Sequence, residues 1–464
     1  MSVEALARIQ FAFTIAFHYI FPPLSIGLGM ILVIMESLYL KTKNETYKTM
    51  THFWVKIFAL IFGIGVASGI VLEFQFGTNW ATYSRYVGDI FGSALAAEGI
   101  FAFFLESGFL AILVFGWNRV SPKMHLFSTI MVWLGSTFSA VWIVVANSWM
   151  QTPAGYKIVG QGMTARAHIT DFWAMVFNPS SIDRLSHTVT SAWMTAAFFV
   201  TSVSAYYLLK NRHLDIAKAS MKIGLTIALI ASFLQLLTGH ESIVGVSKNQ
   251  PAKMAAMEGH YDSTKPLDTT IFGYVDSSTG KTVGPSIPGF GSWLLSGDST
   301  KPVKGLDQIP HQDRPPVQAT FQFFHLMIAI GFTLIGVAVV SAFCWWRGTL
   351  WTKPWLLKIL VWSVLLPQIA NQAGWFTAEV GRQPWIVYGM LHTSDALSKA
   401  VKANQVMASL ILFIVIYLLL FVLFLFLLDR KIKAGPEDPN AEPLDPDDLS
   451  LDHGAQRTLQ EATV

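Results

Sequence analysis

Long apolar runs alternate along this chain with short stretches that collect the charges. A helix that crosses a bilayer needs ~20 predominantly apolar residues. By that measure the pattern predicts nine spans, over residues 9–36, 53–76, 91–117, 125–148, 187–209, 219–239, 320–346, 355–373 and 404–428. The last contains SLILFIVIYLLLFVLFLFLL from Ser409, without a charge. Basic residues cluster in alternate connections: Lys41, Lys43 and Lys48 after the first span, Arg119 and Lys123 after the third, and Lys210, Arg212 and Lys218 after the fifth. Arg347 and Lys353 follow the seventh, and Arg430, Lys431 and Lys433 the ninth. The positive-inside rule places these connections in the cytoplasm, the N-terminus outside and the C-terminus inside.

The long connection from His240 to Pro316 then lies outside. It is rich in Gly, Pro, Ser and Thr, and its likeliest local helix is in KNQPAKMAAMEGHY. The expected organisation is an all-α polytopic membrane protein with about nine transmembrane helices and a long outer-side loop between helices 6 and 7. Residues 1–239 form spans one to six and 240–319 the outer loop. Residues 320–430 form spans seven to nine, and 431–464 an acidic cytoplasmic tail. PEDPNAEPLDPDDLSLD in that tail reads as disordered.

Composition supports this class. Of 464 residues, 53% are hydrophobic and 13% charged, against ~25% charged in soluble domains. The net charge of +3 is dispersed and gives no nucleic-acid surface. Aromatic residues make up 13%, which suits interface belts and the walls of flat cofactors. Cys344 is the only cysteine, which excludes an internal disulfide, a cysteine-ligated zinc site and a cysteine-ligated iron–sulfur cluster. A redox metal here must be held by His, Met or carboxylate. The first apolar run lacks a basic leader and a small-residue cleavage site, so it reads as a retained span.

Ionisable groups inside spans are costly and each needs a reason. His18 lies in FAFTIAFHYIF before Pro22 and Pro23, which should kink the helix and free carbonyls. A lone His there is equally a helix–helix hydrogen bond or a ligand. Glu98 and Glu106 stand eight residues apart in AAEGIFAFFLESGF, ~80° apart around an ideal α-helix, and suggest a wet proton path or a protonated, paired acid. His187 opens the fifth span, and Met327 sits in the seventh, where methionine is usually packing. Asn147, Trp149, Met150, Gln151 and Pro153 close the fourth span with a polar cluster that an ordinary interface would also explain.

The densest chemistry is GWFTAEVGRQPW, from Gly374 to Trp385. Glu379 and Arg382 are three residues apart, which puts them on one face if the stretch is helical. Trp375, Pro384 and Trp385 make the surroundings apolar and stiff. A carboxylate there needs a cation or a metal, so an interfacial salt bridge and a ligand site both remain open.

Taken in order, RIQFAFTIAFHYIFPPLSIG, AAEGIFAFFLESGF, ANSWMQTPAG, SHTVTSAWMTA, KMAAMEG and GWFTAEVGRQPW make the chain resemble subunit I of the cytochrome bd-type quinol oxidases. The likeness covers nearly the whole chain, and the last motif before a charge-free ninth span is its most specific part. It implies a haem-dependent subunit of the bacterial cytoplasmic (inner) membrane that oxidises quinol outside and reduces dioxygen to water. It also implies a second membrane subunit, subunit II, and admits a small single-span accessory subunit.

By the same resemblance, His187 and Met327 match the axial ligands of a low-spin haem b. His18 and Glu379 match the proximal ligands of two high-spin haems, one each; one is haem b and the other haem d or a further haem b. Glu98 matches a distal carboxylate at the oxygen-reducing pair and Glu106 a group on its proton path. Lys253 and Glu258 match the pair associated with quinol oxidation. Arg382 matches an arginine of the haem-propionate region, and Trp375 belongs with the cofactor-binding set. Better-known members carry Arg two residues before the methionine ligand, where this chain has His325. They carry GDES where this chain has GHES, with His240. With the short loop, these departures resemble the cyanide-insensitive branch.

The chemistry agrees with that assignment: a carboxylate such as Glu258 can accept a quinol proton, and Lys253 can stabilise the resulting negative charge. Releasing protons outside and drawing them from inside generates a potential without pumping. The competing classes are a haem-free proton-coupled transporter and a non-catalytic scaffold subunit. No internal repeat is visible, which disfavours transporter folds built from inverted repeats.

Overall fold

In the computed structural model, which describes residues 1–437, nine helical segments among the described residues are long and apolar enough to cross a membrane. They are α1 and α2 (Val3–His18, Phe21–Thr42), α3 (Glu45–Thr78), α5 and α6 (Gly88–Glu98, Phe104–Phe115) and α7 (Pro122–Gln151). After these come α9 (Ser181–Leu209), α10 (Leu214–Asn249), α13 (Val317–Trp346), α14 and α15 (Pro354–Trp362, Leu365–Val380) and α16 (Ala403–Ala434). Short helices α4 (Ala81–Tyr86), α8 (Phe172–Val176), α11 (Pro251–Glu258) and α12 (Phe290–Ser296) lie in the connections. The sixth span runs on to Asn249, past its expected end at residue 239, and α16 reaches Ala434, inside the stretch expected to be tail. The acidic segment from residue 438 onward lies outside the described residues.

The bundle closes on α2, where Phe21, Leu28, Ile31, Leu32 and Met35 are fully buried against α3, α7 and α9. α9 is the most enclosed span, whereas α5–α6, α13 and α16 turn most of their apolar surface outward, as lipid-facing or partner-facing helices do. Four antiparallel hairpins pair Tyr156–Val159 with Arg166–Ile169, Thr269–Thr270 with Ser286–Ile287, Tyr274–Asp276 with Lys281–Val283, and Trp385–Val387 with Leu391–His392. All follow even-numbered spans, so they share one end of the bundle. The long loop is therefore not structureless: α11, α12 and two hairpins satisfy its backbone.

Two irregularities position the interior. Pro22 and Pro23 lack N–H groups, and the first span breaks between His18 and Phe21. The Ala16 and Ile20 carbonyls beside the break accept from Gln372 Nε2 at 2.8 Å and Gln368 Nε2 at 3.1 Å. These bonds clip α15 to the kink. In the third span a π-helical turn, Gly99–Phe103, separates Glu98 from Glu106. One π turn absorbs an extra residue, so the eight residues count as seven α-helical steps and the ~80° separation falls to ~20°. Both carboxylates therefore face α7.

Gly27 sits where α2 crosses α9: a Cβ there would lie 2.3 Å from the Ala192 carbonyl oxygen. Gly27→Leu should lower stability by at least ~1–3 kcal/mol, because the atom it strikes is backbone. Thermal denaturation of the detergent-solubilised protein checks this; an unchanged midpoint would mean that α2 and α9 are not packed this closely.

Candidate functional site

Glu379 occupies the last turn of α15, and Arg382 follows the helix end. Arg382 Nη2 lies 2.5 Å from Glu379 Oε2. The other oxygen, Oε1, accepts from Asn147 Nδ2 at 3.1 Å and Gln151 Nε2 at 3.3 Å. These two are four residues apart at the end of α7, hence on one face. Gln151 Oε1 accepts from Lys253 Nζ at 2.6 Å, and Lys253 also donates to Gln250 Oε1 at 2.6 Å. Asn147 Oδ1 accepts from Arg184, whose guanidinium stands 5.5 Å over the Trp375 ring. Trp375 meets Tyr19 edge-on at 5.3 Å. The polar close of the fourth span is thus part of the site.

Charge does not balance here. Arg184, Arg382 and Lys253 surround the single carboxylate of Glu379. Lys253 is 2% exposed and Arg382 4%. Burial first, and then Arg184, hold the Lys253 ammonium well below its ordinary pKa. Buried donors also lack partners: Arg184 Nε, Arg382 Nη1 and Gln250 Nε2 make no hydrogen bond. Unpaired buried donors and excess positive charge are both costly, so the arrangement calls for anionic acceptors.

The two loop residues part company. Five α-helical positions place Lys253 and Glu258 ~140° apart around α11. Glu258 faces α13 instead, with its Oε2 unpartnered and 4.0 Å from His325 Nε2. Burial pushes its pKa up to about 8. His325 lies within 2.8 Å of the Thr270 and Phe321 carbonyl oxygens through its two ring nitrogens, tying the Thr269–Thr270 strand to α13.

The remaining candidates lie apart from this cluster. His18 Nδ1 is 3.1 Å from Ser68 Oγ on α3. His187 Nδ1 is 3.2 Å from Thr238 Oγ1, and Gln235 Nε2 lies 3.0 Å from its Nε2. Met327 packs against Gly374 of α15. Among the described residues no three His, Cys, Asp or Glu side chains gather as a bare metal site would require. Separate single donors are what macrocycles with their own four nitrogens need. Ser139 Oγ of α7 donates to Glu98 Oε1 at 2.5 Å, while Glu106 abuts Gly135 of the same helix.

Sequence reasoning missed Arg184. Its position three residues before His187, at the mouth of an apolar span, was the available signal. It also missed Glu36, buried with His125 at 2.6 Å and Thr129 at 2.6 Å near the other end of α7.

Fold and site define a nine-span helical membrane protein with a buried, cation-rich cluster at one end and separate His, Met and carboxylate donors within its helices. The chain belongs to the cytochrome bd terminal oxidase subunit I family, whose model matches residues 6–436. It is 39% identical to cytochrome bd ubiquinol oxidase subunit 1 of Bacillus subtilis (strain 168), over 95% of this chain and 96% of that protein. It is 34% identical to cytochrome bd-II ubiquinol oxidase subunit 1 of Escherichia coli (strain K12), over 94% and 98%. The solved bd oxidase of Geobacillus thermodenitrificans superposes with a TM-score of 0.86 at 28% identity, covering 94% of this chain and 99% of that one.

Glu379→Gln should destabilise the protein by ~1–3 kcal/mol, because it leaves the buried Arg382 guanidinium without its carboxylate partner, although the Glu379 side chain is itself 32% exposed. Lys253→Met, which removes excess charge, should cost less. Thermal denaturation of the two variants side by side decides it; the reverse order would refute the charge assignment.

Proposed function

We propose that this chain is the catalytic subunit of a quinol:oxygen oxidoreductase that holds three haems and works beside a second membrane subunit. The observation that carries this reading is the Glu379 cluster, with three cations around one carboxylate and orphaned Arg184 and Arg382 donors. Haem propionates are anions that fit such donors, and Arg presents a planar fork to carboxylates. The family shown for the chain supports the same cofactor class.

His187 and Met327 would hold a low-spin haem b, and His18 and Glu379 one high-spin haem each, b in one case and d or b in the other. Haem supplies the one-electron and oxygen chemistry when bound. Arg184, Arg382 and Lys253 orient and neutralise propionates, and Trp375 walls the cluster. A small single-span subunit is admitted but not required.

The outer loop handles quinol. Glu258, with its free oxygen, accepts a hydroxyl proton, and His325 stands beside it. Lys253 belongs with the propionate donors rather than with Glu258, because it reaches Gln151. Glu98 and Glu106, both turned toward α7, hold protons on their way from the cytoplasm. The alternating Lys/Arg bias supports an outer quinol loop and N-terminus and a cytoplasmic C-terminus. Releasing protons outside and consuming them from inside would build a proton-motive force without a pump. The named relatives are ubiquinol oxidases, and a quinol is the substrate class proposed here.

Glu258→Ala should lower quinol-driven oxygen uptake by roughly 10²-fold, the scale of a positioned acid–base group. Uptake driven by a small artificial reductant, and the reduced haem spectrum, should stay normal. If both electron routes fall together, or neither falls, the loop is not the quinol site. A haem-free transporter or a scaffold subunit would show no quinol-driven uptake to lose.

Glu258 works as its carboxylate, and its pKa is raised to about 8. The competent fraction therefore grows as pH rises toward that value, and kcat/KM for quinol should climb with it. The same raised pKa makes folding take up a proton, so the Glu258 contribution to stability is lost as pH rises through about 8. A flat kcat/KM profile would remove Glu258 as the base.

Met327→Leu keeps nearly the same volume, so packing should survive while the low-spin α-band is lost. An unchanged band would exclude Met327 as a ligand.

A further inference from the structure

Three of the four candidate iron ligands lie against a glycine of a neighbouring helix. A Cβ on Gly69 of α3 would come 3.1 Å from His18 Cε1, and one on Gly239 of α10 would come 3.4 Å from His187 Cε1. At Gly374 of α15 the Cβ would lie 2.9 Å from the Met327 sulfur and 3.8 Å from its Cγ. Those two are the only atoms of other elements within 4 Å of that position among the described residues. Gly27 offers the contrast, because a Cβ there strikes the backbone of α9. Close helix packing accounts for Gly27 and does not account for Gly374.

Backbone conformation does not require glycine at 374 either. The residue lies inside α15, with no left-handed backbone, and a glycine inside a helix weakens it relative to alanine. A methyl group at this position would help the helix and, among the described residues of other elements, would meet the Met327 side chain. We propose that Gly374 is a positioning residue for Met327: it leaves the clearance in which the thioether sulfur is held for axial ligation of the low-spin haem. This rests on the reading of Met327 as a ligand. The same clearance is slack at Gly239, where 3.4 Å is an ordinary contact and alanine is accommodated.

The test uses the intact oxidase complex carrying Gly374→Ala, Met327→Ala, both together, or Gly239→Ala. Three measurements are made on each: total haem by pyridine haemochrome, the low-spin α-band with its midpoint potential, and thermal denaturation. Gly374→Ala should keep total haem while the low-spin band diminishes or its potential shifts, and Gly239→Ala should leave both close to the parent. In the Met327→Ala background, adding Gly374→Ala should change neither spectrum nor potential further, and should leave the denaturation midpoint equal or higher. Should Gly374→Ala block assembly, the double variant should assemble as well as Met327→Ala alone; failure to do so overturns the proposal. A native band and potential in Gly374→Ala, or the same loss of stability with and without the Met327 side chain, also overturns it. The two readings fail separately. A Met327→Leu protein with an intact low-spin band removes the ligand assignment, whereas the stability coupling between Gly374 and Met327 reports the contact itself.

Discussion

An excess of positive charge governs the interior of this protein. Glu379 is the single carboxylate among Arg184, Arg382 and Lys253, and each cation arrives on a different piece of chain. An apolar surrounding makes such an excess expensive unless anions fill the site. The cluster therefore draws α9, α11, α15 and the end of α7 to one point and leaves Arg184 Nε and Arg382 Nη1 without a hydrogen-bond partner.

α7 is the element that carries the polar interior from level to level. Gly135, Ser139, Asn147 and Gln151 are separated by four, eight and four residues, which drift ~40°, ~80° and ~40° around the axis. Gly135 admits Glu106, Ser139 bonds Glu98, and Asn147 and Gln151 hold Glu379. The π turn in the third span makes the first two contacts possible by bringing both glutamates to one face. In the first span, the Ile20 and Ala16 carbonyls beside the proline break accept from Gln368 and Gln372 of α15. The proline break is thus matched by side chains on another span, which is how freed backbone polar groups survive in a membrane.

Lys253 and Glu258, five residues apart on one short helix, point ~140° away from each other. Lys253 threads past Gly381, where a Cβ would sit 2.8 Å from its Cγ, to reach the interior cluster. Glu258 stays beside His325 of α13. The loop therefore faces two ways, with Lys253 on the Glu379 cluster and Glu258 on α13.

The linear chain determined what depends on local composition and period. Spans must be apolar because no water is present to solvate them, so nine of them could be counted, and Pro22 and Pro23 announced a break because they have no N–H to give. The GWFTAEVGRQPW stretch declared itself because charge inside apolar sequence is rare. Only the tertiary structure decided which charges meet. Arg184 and Lys253 lie far from Glu379 along the chain, and no pattern of hydrophobicity records that three helices bring them together. The turn that puts Glu98 and Glu106 on one face was equally hidden, because a single π turn changes no residue type, only the angle at which successive side chains leave the helix.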